Sequence, residues 1–136
     1  MAVRKSGAKI TWTPKNVTQP VADVMEQRLR TLGPIVQAQA QFNVSIPTAM
    51  AGPSRPGEYP HLETGKLHDE MYWRLDRDRK GLVLFVGTNA IGPDGFDYGL
   101  FHEYTSGRSF LRRTLGQMWQ GIRKQLSAPI PGFGKP

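Results

Sequence analysis

Five apolar residues in a row, Leu82-Val83-Leu84-Phe85-Val86, restrict the fold more than any other stretch of the chain. The run is of strand length, has no polar alternate and stops at Gly87-Thr88-Asn89, so it reads as a buried β-strand. Before it, Met71-Tyr72-Trp73-Arg74-Leu75 has β-type composition, and Asp76-Arg77-Asp78-Arg79-Lys80-Gly81 is charged turn material. Together these segments predict an antiparallel hairpin over about 70–88. Because side chains alternate across a strand, one of Tyr72 and Trp73 has to face away from the core. Near the N-terminus, Lys9-Ile10-Thr11-Trp12-Thr13 alternates apolar and polar residues and predicts a short edge strand that Pro14 ends.

A sheet this small needs helices to cover it. From Pro20, the positions Val21, Val24, Met25, Leu29, Leu32, Ile35, Val36 and Ala40 recur at spacings of three and four, with Arg28 joining them through its aliphatic stem. This predicts a long helix over about 20–42. Gly33-Pro34 should kink it or divide it into two stacked helices, because proline lacks an amide donor and crowds the preceding turn. A second amphipathic helix is predicted over about 109–127, with Leu111, Leu115, Met118, Trp119, Ile122 and Leu126 on one face and Phe110 and Trp119 in the core. Residues 43–65 hold prolines and glycines without a helical period and predict a long loop or arm that reaches a neighbour. The tail, residues 129–136, is expected to be flexible or held in extended form by a partner. The fold class is therefore α+β.

The chain has 136 residues and 38% hydrophobic content, which suits one domain, 1–136, with a modest core. It lacks cysteine, which excludes disulfides and thiolate zinc sites and gives the sequons at Asn16 and Asn43 little weight. Neither a signal peptide nor a membrane span is legible, so synthesis in a cytoplasm is expected. The net charge of +7 is unevenly spread. Residues 1–42 carry six basic and two acidic residues, residues 43–107 carry six and nine, and residues 108–136 carry six and none. Basic ends around an acidic middle suit either nucleic-acid binding or a subunit whose basic surface meets an acidic neighbour.

Chemistry-bearing motifs are sparse. His102-Glu103 could pair an imidazole with a carboxylate, but Ser106 and Gly107 stand where a second helical ligand would be needed, and His61 and His68 lie on another segment. Thr64-Gly65-Lys66 lacks both the upstream glycine and the following hydroxyl of a phosphate loop, because Pro60 and Leu67 occupy those places. Asp76 and Asp78 sit among Arg77, Arg79 and Lys80 and read as a solvated charged turn. No catalytic, metal or cofactor residue is assigned. Arg108, Arg112 and Arg113 differ, because cations at the start of a helix oppose its dipole and call for a negative partner. That partner is either Asp94, Asp97 and Glu103 of the same chain or an anion outside it.

Read in order, "YPHLETGKL", "LVLFVGTN", "YGLFHEY" and "GRSFLRRTL" resemble the small tail-completion, or head–tail joining, proteins of long-tailed bacteriophages. The matches are Thr64-Gly65-Lys66-Leu67, Val86-Gly87-Thr88-Asn89, Tyr98 to Tyr104, and Arg108 to Leu115, and they span about half the chain. Ser109 and Arg113 stand where that family usually has proline. The resemblance implies a virion structural protein without catalysis or cofactor. Such a protein forms a homo-oligomeric ring, a hexamer or dodecamer, in the neck between the portal-side connector and the tail tube or tail terminator. It also implies contact with viral DNA in the lumen and none with a membrane. On this reading Arg108, Arg112, Arg113, Glu103, Asp97, Asp94, Tyr59 and Arg55 are expected at subunit interfaces. Thr64, Gly65, Leu67, Gly87, Thr88, Asn89, Phe110 and Leu111 are expected to be structural. The rival expectation is a nucleic-acid-binding module that uses the basic N- and C-terminal segments.

Overall fold

The structure is a computed structural model that describes residues 7–15, 17–46, 51–52, 54, 58–60, 66–77, 80–89 and 109–134. Its elements are β1 (Gly7–Trp12), α1 (Gln19–Asn43), α2 (Lys66–Asp69), β2 (Met71–Arg77), β3 (Leu82–Thr88) and α3 (Leu111–Leu126). The strands form one antiparallel sheet in the order β1-β3-β2, which puts the apolar run of β3 at the centre and the alternating β1 at an edge. This is the expected α+β arrangement of a hairpin, an N-terminal strand and two helices.

Register assigns each side chain to a face. Ala8 of β1 pairs with Val86, Ile10 with Leu84, and these stand in line with Trp73 and Leu75 of β2. That row faces the helices and joins Met25, Leu29, Leu32, Val36, Phe110, Leu111 and Ile122 in one core. Lys9, Phe85 and Arg74 form a row on the other face. There the Arg74 guanidinium lies 4.8 Å from the centre of the Phe85 ring and bonds Asp76 at 2.9 Å, and the Tyr72 and Phe85 rings are 5.9 Å apart. The Asp76 bond raises the pKa of Arg74. The choice between the adjacent aromatics is thus resolved with Trp73 inward and Tyr72 outward.

α1 runs through Gly33-Pro34 as one element, so the division into two stacked helices does not occur. An internal proline costs roughly 3 kcal/mol through its missing donor and its steric clash. Here Leu29 and Leu32 on one side of it and Val36 and Ala40 on the other are buried in the same core, which keeps the helix continuous across it. Gly33 has a separate task. A Cβ on it would come within 2.5 Å of Cδ2 and Cε3 of Trp73, so the helix can lie on β2 only because this position has no side chain. Gly81 serves the sheet similarly: its φ is positive, and a Cβ would overlap the Trp12 carbonyl oxygen at the edge of the hairpin.

The tail departs from expectation. Ile130 is buried, and the amides of Phe133 and Gly134 donate to its carbonyl while its own amide donates to Gly134, closing a tight turn. Over residues 130–134 the chain is folded back onto itself by hydrogen bonds rather than extended.

Gly33→Ala is expected to lower stability by about 1–3 kcal/mol through overpacking against Trp73, even though alanine is the better helix former by about 1 kcal/mol. Urea denaturation checks this, and an unchanged or raised midpoint would show that the indole has room to move.

Candidate functional site

The two long helices run antiparallel, and polar clamps at both ends fix them. At one end, the buried Asn43 closes α1. Its side-chain amide donates to Thr114 Oγ1 at 2.9 Å and to Gln117 Oε1 at 3.1 Å, and its oxygen accepts from Gln39 at 3.0 Å. Thr114 Oγ1 donates in turn to the Phe110 carbonyl at 2.6 Å. At the other end, the Arg28 guanidinium crosses to the end of α3 and the residues just past it, donating to the carbonyls of Leu126 at 3.3 Å, Ala128 at 2.7 Å and Pro129 at 3.2 Å. Helix C-termini leave carbonyls unpaired and carry partial negative charge, so a cation supplied from another helix satisfies both deficits. Arg28, expected in the apolar stripe through its stem, therefore also caps α3 with its head.

Motif residues converge beside this pair. Thr88 Oγ1 donates to the Leu67 carbonyl at 3.4 Å, and the Asn89 amide donates to the Glu70 carbonyl at 3.1 Å, so the Val-Gly-Thr-Asn strand end holds the short helix α2. Gln41 of α1 bonds the His68 carbonyl at 3.0 Å, and Gln37 bonds that of Met71 at 3.3 Å. Gly87 lies between Gly7 and Tyr72 in the sheet. Phe110 and Leu111, at 0% and 1% exposure, anchor the start of α3. Leu67, Gly87, Thr88, Asn89, Phe110 and Leu111 thus act in packing and backbone bonding, whereas Thr64 and Gly65 lie outside the described residues.

Of the expected interface residues, the structure brings two together. The Arg113 guanidinium lies 4.2 Å from the centre of the Tyr59 ring, and the Tyr59 hydroxyl is 3.4 Å from Gln117 Oε1. Arg113 therefore packs on an aromatic ring of its own chain, and Tyr59, with the buried Pro60, ties part of the 43–65 segment to the body. Arg112 is exposed on α3. Arg55, Asp94, Asp97, Glu103 and Arg108 lie outside the described residues, as do His61 and His102. His68 bonds the neighbouring carboxylate of Asp69 at 2.8 Å in an exposed pair. Among the described residues no group of three His, Asp or Glu side chains could hold a metal ion, and no helix is long and apolar enough to cross a membrane.

The outer faces of the clamped helices carry what the periodicity analysis missed. Ile35, Ala38 and Phe42 follow one another on α1 at spacings of three and four and are all exposed, with Phe42 at 72%, and Ile46, also exposed, lies three residues past the helix end. Ile35 was expected in the core. It belongs instead to a second apolar stripe, which four-residue spacing alone could have revealed. Trp119 was likewise expected inside and is 45% exposed. Thr114 occupies one flank of the α3 stripe and Trp119 the other, and α1 packs on the Thr114 flank because Asn43 bonds there. Arg112, Arg113, Arg123 and Lys124 share the exposed side of α3 with Trp119. The chain matches no protein-family model, no curated protein and no solved structure.

Arg28→Met keeps the stem and removes the cap. It is expected to cost about 1.5–3 kcal/mol, the range for hydrogen bonds to a charged group, measured by chemical denaturation. A loss below about 0.5 kcal/mol, typical of a neutral surface change, would mean that the carbonyls at the end of α3 are satisfied without Arg28.

Proposed function

We propose that the protein is a structural subunit that assembles with copies of itself, and that the assembly is the neck ring joining the head of a long-tailed bacteriophage to its tail. The observation that carries the assembly is the outer stripe of α1. A globular helix normally has one apolar face, used up by its own core, and polar residues opposite. α1 spends Met25, Leu29, Leu32, Val36 and Ala40 on the core and then presents a second apolar row to solvent. Burying a Phe or Ile side chain against a neighbour contributes roughly 1.5–3 kcal/mol, so Ile35, Phe42 and Ile46 would anchor a contact whose remaining buried surface offsets the cost of association.

In a ring, one surface of each copy meets a different surface of the next. The outer face of the sheet offers such a complement: the described helices cover only the opposite face, and Val83 and Phe85 are half-buried there. The neck assignment rests on the ordered motifs. Its support in the geometry is that Leu67, Thr88 and Asn89 bond or pack where β3 meets α2 and that Phe110 and Leu111 are buried in the core at the start of α3, as residues shared for a common fold would be. On this reading the protein acts in the virion, on portal-side and tail-side partners, and performs no catalysis.

The double substitution Ile35→Glu/Phe42→Glu changes only exposed positions, so thermal stability should stay within about 0.5 kcal/mol of wild type. The variant is expected to be missing from purified phage particles, with heads and tails left unjoined and the infectious yield lost. Normal particles carrying the variant would overturn the role of α1, and a wild-type chain undetectable in particles by mass spectrometry would overturn the neck assignment.

A further inference from the structure

We propose that the exposed side of α3 binds a single nucleic-acid strand, with phosphates on its arginines and lysine and a base on Trp119. Arg112, Gly116, Trp119 and Arg123 follow one another at spacings of four, three and four, so they lie along one line of the helix, with Arg113, Gln120 and Lys124 on the adjacent line. All seven are exposed. No acidic residue occurs from 109 to 134, and Arg123 and Lys124 take part in no ion pair among the described residues.

The pattern suits a strand better than an acidic protein surface. Arg112 and Arg123 are eleven positions apart, about 16 Å along a helix. At the roughly 3.4 Å rise per nucleotide of a stacked strand, that length covers about five phosphates. Between the cations stands an indole that the core does not cover. Side chains lean toward the preceding turn of a helix, and in that turn Gly116 has no side chain and nothing within 4 Å of where one would be. Cations that track a backbone on both sides of an aromatic platform are the means by which proteins hold unpaired strands, since any base can stack. A duplex would leave Trp119 without a base to stack on.

Fluorescence anisotropy with a labelled mixed-sequence single-stranded DNA oligonucleotide tests this on the full chain. Affinity should fall as salt rises from about 50 to 200 mM, with a log–log slope of at least about 1.4 in magnitude for phosphate contacts at Arg123 and Lys124 at about 0.7 each. Arg123→Glu/Lys124→Glu should flatten that slope by about 1.4, or two contacts. Trp119→Ala should weaken binding about 5- to 150-fold, the range for loss of one stacked base. Both variants change exposed residues, and unchanged circular dichroism confirms that they fold. No binding, a duplex of the same sequence bound more tightly than the single strand, wild-type affinity in Trp119→Ala, or equal competition by poly-glutamate would each overturn the proposal, the last in favour of an acidic protein partner. Ile35→Glu/Phe42→Glu lies on the other helix and should bind as wild type does, so failure here leaves the assembly reading standing.

Discussion

The Arg28 guanidinium crossing from α1 to the carbonyls at and just past the end of α3 is the contact on which the rest of the arrangement turns, together with its counterpart at Asn43. Both clamps close only when the helices are antiparallel, the end of α1 against the start of α3 and Arg28 against the residues at and just past the end of α3. Apolar packing alone is non-directional and tolerates sliding or rotation of one helix against the other. A buried amide and a multidentate guanidinium do not, because misplacement leaves buried polar groups unpaired at about 1–3 kcal/mol each.

Fixing the rotation of each helix also fixes what it shows to solvent. Turned so that Asn43 meets Thr114, α1 must present Ile35, Ala38 and Phe42 outward, and α3 must present Trp119 among its cations. The same contacts that complete the core thus create one apolar and one cationic surface on neighbouring elements. The sheet contributes rigidity: the β3 core row is continuous with Ile10 and Trp73, and Gly33 lets α1 settle on that indole.

Much of the fold was legible in the sequence because period and turn chemistry are local. The apolar run of β3, the charged turn before it and the three- and four-residue spacing of both helices need no knowledge of neighbours. Errors arose where a neighbour decides. Ile35 and Trp119 fit the core stripes of their helices by spacing, and only the position of the partner helix puts them outside. Pro34 argued locally for a kink or a division, and α1 is not divided because packing on both sides supports it. Arg28 was assigned by its stem because its acceptors lie about one hundred residues away, and the role of Asn43 was hidden because its acceptor Thr114 lies 71 residues on. At the candidate site, the cationic character of the last helix was legible from composition, whereas the pairing of Arg113 with Tyr59 required two distant segments to be brought together.

Native-state hydrogen exchange tests the clamped pair most directly, because it reads the opening of each helix separately. If the end clamps make α1 and α3 one cooperative unit, their central amides should exchange with opening free energies that agree within about 1 kcal/mol and match global unfolding. Central α3 amides that open at several kcal/mol below those of α1 would show that the last helix detaches by itself, and the clamps would not then be what orients its outer face.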